Sequence, residues 1–66
     1  MDLAKSLRIA LAERNIKRTE LAKQLGVSRQ IVSTWVNTGG ISRVNLELTC
    51  KFLDMNVSDF VALGED

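Results

Sequence analysis

Leu21-Ala22-Lys23-Gln24-Leu25-Gly26-Val27-Ser28-Arg29-Gln30-Ile31-Val32-Ser33-Thr34-Trp35 is the stretch that decides how this chain folds. The spacing of Leu21, Ala22 and Leu25 predicts a helix over residues 18–25 with those side chains inward. Gly26 follows, a residue that accepts the positive φ of a tight turn without strain. Val27 then points inward, and Ser28 is suited to cap a helix over 28–37. On that second helix Val32, Trp35 and Val36 face one way, while Gln30, Ser33, Thr34 and Asn37 face the other. Ala22 is small where the second helix must cross close to the first. Val27 and Val32 lock the pair at a fixed angle and leave the outer face of the second helix free.

Working outward, Leu3, Leu7, Ala10, Leu11 and Arg14 share one side of a first helix over 2–14. Asp2 and Arg14 suit its dipole, and Asn15 is a natural left-handed end. Thr38-Gly39-Gly40 breaks the chain and Ser42 caps a fourth helix over 43–55. Asn56 forms a turn, and Ser58 with Asp59 starts a short last helix that ends at Gly64. No alternating strand pattern occurs. The expectation is a single all-α domain over residues 1–66, built from five helices.

Composition narrows the function classes. The chain has 66 residues, no histidine, no tyrosine and a single cysteine, Cys50. A chain this short buries only about 60% of its unfolded surface, so a deep enclosed pocket is not expected. Without histidine, and with one thiol, the usual general base, a His/Cys metal cluster and an internal disulfide are all missing. The reading is therefore no enzyme, no cofactor, no metal and no small-molecule ligand. No apolar run approaches the roughly 18 residues that cross a bilayer, and the amino terminus is not a signal peptide. An unpaired cysteine suits a reducing compartment, which points to the cytoplasm.

Net charge is only +1, but it is unevenly distributed. Residues 1–36 carry seven bases against three acids, and residues 37–66 carry two bases against five acids. A small domain with one basic half presents a preferred face to an anionic partner. The outer face of the third helix fits such a partner. Ser28 sits at the helix start, where backbone amides and the dipole favour a phosphate. Arg29 suits bidentate contact with guanine O6 and N7, and Gln30 suits adenine N6 and N7. Ser33 and Thr34 are short donors and acceptors one turn on. None of these is needed for packing.

ELAKQLGVSRQIVSTWVN (residues 20–37) and KFLDMNVSDF (residues 51–60) resemble the Cro/phage-repressor family. These lambda-repressor-like, XRE-type proteins are small five-helix operator binders of phages and bacteria, and the resemblance spans most of the chain. It implies a helix-turn-helix at helices two and three, with the third helix reading the major groove. It also implies a homodimer on a near-palindromic double-stranded DNA operator. Matched by motif, Arg29, Gln30, Ser33 and Thr34 fall at base-contacting positions. Arg18, Ser28, Asn37 and Arg43 fall near backbone-contacting ones. Three residues depart from the pattern. Lys17 replaces a frequent threonine cap, so that cap is weaker or is supplied by Asn15. Arg18 replaces a usual glutamine, and the loop over 38–42 lacks a proline.

Plainer readings stand beside these. Exposed polar residues on a helix are ordinary, so Gln30, Ser33 and Thr34 count by position alone. Lys5, Arg8, Lys23 and Lys51 read as solvated charges, Trp35 as core, and Cys50 as a packing thiol. Ile31 either meets a thymine methyl or flanks Trp35. On the fourth helix, Val44, Leu46, Leu48, Thr49, Phe52, Leu53 and Met55 cover about half the circumference, wider than the ~100° one core-facing side needs. Either the fifth helix covers the excess with Phe60, Val61 and Leu63, or it is a two-fold dimer patch with Leu46 and Leu53 as its possible surface. The expected function is a sequence-specific transcriptional regulator that represses by occupying its operator. The alternative is an antitoxin-like regulator or a protein-interaction module using the helix-four surface.

Overall fold

The structure, a computed structural model, describes residues 2–65; Met1 and Asp66, the latter one of the acids counted above, lie outside the described residues. Five helices follow one another: α1 (Leu3–Glu13), α2 (Arg18–Leu25), α3 (Arg29–Thr38), α4 (Arg43–Phe52) and α5 (Val57–Leu63). Helix α1 packs on α3 and α5, α2 packs on α3 and α4, and α4 packs on α5. The core between them is made by Leu7, Ala10, Leu11, Leu21, Ala22, Val32, Trp35, Val36, Cys50, Leu53 and Phe60. Helices α2 and α3, which carry the predicted motif, pack on each other, and α1 packs on α3.

Helix starts follow the expected capping chemistry. Ser28 Oγ accepts from the Ile31 amide at 3.2 Å, and Ser42 Oγ accepts from the Asn45 amide at 3.3 Å. Asp2 accepts from the Lys5 amide at 3.0 Å. Each satisfies a first-turn donor that the helix itself leaves open. Asn56 is also a cap and not merely a turn, since its side chain accepts from the Asp59 amide at 2.8 Å. That bond moves the start of α5 to Val57, ahead of Ser58.

Helix ends share a second device. Asn15 (φ 54°), Gly26 (φ 69°) and Asp54 (φ 56°) are left-handed. After each, the next amide reaches back over the turn: Ile16 to the Leu11 carbonyl, Val27 to Ala22 and Met55 to Cys50, at 2.9–3.0 Å. This is the Schellman closure, with an apolar residue folded back on the core just beyond it. It also explains why α4 ends at Phe52 and not at residue 55. Asp54 tolerates the left-handed region because its short polar side chain carries little steric penalty there.

One side chain of α1 and one at its C-cap act on other helices. Ser6 is buried and its Oγ donates to the Val61 carbonyl at 3.3 Å. Arg14 Nε donates to the Leu53 carbonyl at 3.1 Å, placing a cation at the end of α4 where the dipole favours it. Leu53 itself is 3% exposed and belongs to the core, which corrects its reading as a dimer-surface residue. Leu46 is half-buried and packs against the same core, so it too lies inward.

The carboxy-terminal end of α5 closes against the start of α1. A methyl group on Gly64 would collide with the Asp2 carbonyl oxygen and Ser6 Oγ. Gly64→Ala is therefore expected to cost about 1–3 kcal/mol, as other overpacked sites do. In a thermal melt this reads as a drop of several degrees, at about 4–8 °C per kcal/mol for a domain of this size. An unchanged melting temperature would show that the end of α5 does not dock on α1.

Candidate nucleic-acid interface

Helix α3 is held by three side chains on one side: Val32 and Val36 are fully buried and Trp35 is 4% exposed. At about 100° per residue, the arc opposite them is centred on Gln30, Thr34 and Asn37. All three are exposed; Arg29 is exposed too, but it lies off this arc, about 110° from its centre and next to Val36 on the wheel. Ile31 stands at one edge of the arc and is 44% exposed, so it is not enclosed beside Trp35. Ser33 is half-buried between the arc and the core.

Local hydrogen bonds limit what each group can offer. The Thr34 hydroxyl donates to the Gln30 carbonyl at 3.0 Å, and the Thr38 hydroxyl donates to the Thr34 carbonyl at 2.7 Å. With its proton engaged, Thr34 presents acceptor lone pairs and a methyl group outward. Ser28 shows the converse. Its oxygen caps the helix as an acceptor, which leaves its hydroxyl proton able to donate to a phosphate. Gln30 and Arg29 retain unengaged side chains suited to base edges. Arg29 stands in the first turn of α3.

Beside α3 lies an open cleft with an apolar floor of Leu11, Ile16 and Val36 and a rim of Arg8, Lys17 and Arg18. The Arg8 guanidinium donates to the Val36 carbonyl in the last turn of α3, so it is not the free solvated charge expected of it. The start of α2 forms part of this rim. The Lys17 amide donates to Glu20 Oε1 at 3.1 Å, but lysine has no acceptor with which to return the bond. Half of a capping box is thus present, and Asn15 is not its other half, being the left-handed end of α1. A cation stands where an uncharged cap would hold the helix better. The juxtaposition of Arg8, Lys17 and Arg18 was missed at the sequence level, because Arg8 comes from a different helix.

Arg43 opens α4, with its Nε 3.3 Å from Glu47 Oε1 and both side chains well exposed. Such a surface pair is worth little and releases readily to a phosphate. Arg43 also borders a groove formed by Leu3, Leu46, Val57 and Val61.

A family model for the Cro/C1-type HTH DNA-binding domain matches residues 6–66. The chain belongs to that family. It is a DNA-binding domain of the transcription-regulator kind, folded as a compact all-α helix-turn-helix unit. Neither a curated protein nor a solved structure matches it. No helix among the described residues is long and apolar enough to cross a membrane.

Cys50 is 2% exposed, and burial pushes its pKa up by desolvating the thiolate. Folding thus favours the protonated thiol. That contribution is complete below the ordinary thiol range and is lost as pH rises through the higher folded-state value. Native protein at neutral pH should therefore resist alkylation by iodoacetamide until unfolded, as a mass spectrum would record; rapid native labelling would contradict the burial.

Lys17→Thr supplies the missing acceptor and removes a cation. It should raise stability by about 0.5–2 kcal/mol in a thermal melt. In DNA titrations across salt concentrations, the slope of log affinity should fall by about one if Lys17 meets a phosphate. A stabilised variant with an unchanged slope would assign Lys17 to solvent alone.

Proposed function

We propose that this protein is a sequence-specific, Cro-like or prophage-type repressor that binds a near-palindromic operator as a homodimer. The observation that carries the reading is the outer arc of α3. Gln30 and Thr34 are exposed together, opposite a fully enclosed apolar side, and Arg29 is exposed in the first turn of the same helix. Arg29 and Gln30 read guanine and adenine edges, and Thr34 offers its methyl group or its lone pairs to the next base. Ser33, half-buried, contributes at shorter reach. Arg18, Ser28, Asn37 and Arg43 hold phosphates and set the register of the helix in the groove. The protein works in the bacterial or phage-infected cytoplasm, where occupancy of the operator excludes polymerase.

Base contacts and phosphate contacts separate experimentally. Selection from a random duplex pool at physiological salt should return an inverted repeat whose half-sites lie about one helical turn apart. Arg29→Ala should lose about 1–3 kcal/mol of discrimination at one base pair, with little change in nonspecific binding or melting temperature. Arg18→Ala should weaken all duplexes alike and lower the salt slope by about one. A pool without enrichment, or an Arg29→Ala variant that keeps full discrimination, would refute base reading by α3.

A further inference from the structure

The cleft beside α3 combines an apolar surface with a one-signed rim. Its volume is about 530 Å³, within the range of sites that hold small organic molecules. Leu11 and Val36 close its floor, being 5% and 0% exposed, while half-buried Ile16 and exposed Ala12 form its sides. Three cations, Arg8, Lys17 and Arg18, stand around that surface with Thr19. Among the described residues, no carboxylate lines it. The acids nearest in sequence are turned elsewhere, Glu13 toward Arg14 and Glu20 to the Lys17 amide.

We propose that this cleft binds a small amphipathic anion, an apolar body that carries one carboxylate or phosphate group. Complementarity selects that occupant. Three like charges converging on one rim repel one another, and an anion among them offsets the repulsion. A wholly polar anion would leave the apolar sides wet, and a neutral apolar molecule would gain nothing from the cations. Arg8 is anchored for the purpose. One of its N–H groups donates to the Val36 carbonyl, which fixes the guanidinium at the rim and leaves its other donors for an anion. A group already held in place loses little further freedom on binding. Lys17 and Arg18 add two charges from the start of α2, where Lys17 stands although it gives that helix no side-chain cap.

The cleft is open to solvent, so its occupant is only partly buried and binding is modest. One consequence rests on the DNA reading above. Arg18 is assigned there to a phosphate, so an anion in the cleft competes with the duplex and lowers its affinity.

Octanoate is the probe for the site itself, without DNA. Titrated into isotope-labelled protein, it should saturate at about 1–10 mM or below and shift the amides of Ala12, Ile16, Arg18 and Thr19. Acetate, which lacks the apolar body, should bind about tenfold or more weakly. Octanamide, equal in shape but neutral, should bind about threefold or more weakly than octanoate. Two variants at an exposed helical position separate charge from shape. Ala12→Glu should bind octanoate about threefold or more weakly than Ala12→Gln, while the two bind octanamide alike and melt close to the wild type. Octanamide binding as tightly as octanoate, shifts scattered away from the cleft, or equal octanoate affinity in the two variants overturns the proposal. Duplex titrations read the consequence separately. Saturating octanoate should weaken binding to a random duplex more than acetate at the same ionic strength. Unchanged duplex affinity with octanoate bound would remove Arg18 from the phosphate contacts and leave the anion site standing.

Discussion

The amide of Val27 reaches back across Gly26 to the Ala22 carbonyl at 3.0 Å, and the placement of α3 depends on that bond. It requires Gly26 in the left-handed region, at φ 69°. Space is not the constraint there, because a Cβ on Gly26 would meet nothing within 4 Å; the backbone angle alone favours glycine. Once the turn is closed, Val27 folds onto the core, Ser28 is in position to cap, and Val32, Trp35 and Val36 are drawn inward together. The polar arc of α3 is exposed as a result. The polar groups of that arc are thus positioned by packing on the far side of their own helix.

The cations divide by role according to what they can reach. Arg8 on α1 and Arg14 just after it turn to the carbonyl ends of α3 and α4. There they meet orphan acceptors and the negative ends of helix dipoles. Arg29 and Arg18 are exposed. A net charge of +1 hides this division, because charge is summed over the chain while a polyanion meets only one surface. Lys17 sits between the two groups. It weakens the start of α2 as a helix cap while adding a positive charge to the rim it shares with Arg8 and Arg18.

Helix α4 is apolar on two sides. Its inner side, with Leu53 and Cys50, is continuous with the core, and its outer side carries Val44, Leu48 and Phe52. Summed around the helix these merge into one broad apolar arc, which is why Leu46 and Leu53 looked like surface candidates. The left-handed turn at Asp54 ends the helix early. Met55 then packs as part of the turn that leads into α5, and not as a member of the outer row.

What the sequence determined by itself was local. The bounds of α2, the glycine turn, the Ser28 and Ser42 caps and the left-handed Asn15 all follow from interactions spanning five residues or fewer. Periodicity and capping chemistry register such interactions directly. Tertiary structure decided whatever depends on a neighbour distant in the chain. It turned Arg8 toward Val36 and Arg14 toward Leu53, buried Ser6 beneath Val61, drew Leu53 into the core and left Leu48 outside. A helical wheel shows which residues share a side, but the side that is buried depends on which other helix arrives there. That contact is made across dozens of residues, by a packing geometry no local pattern encodes.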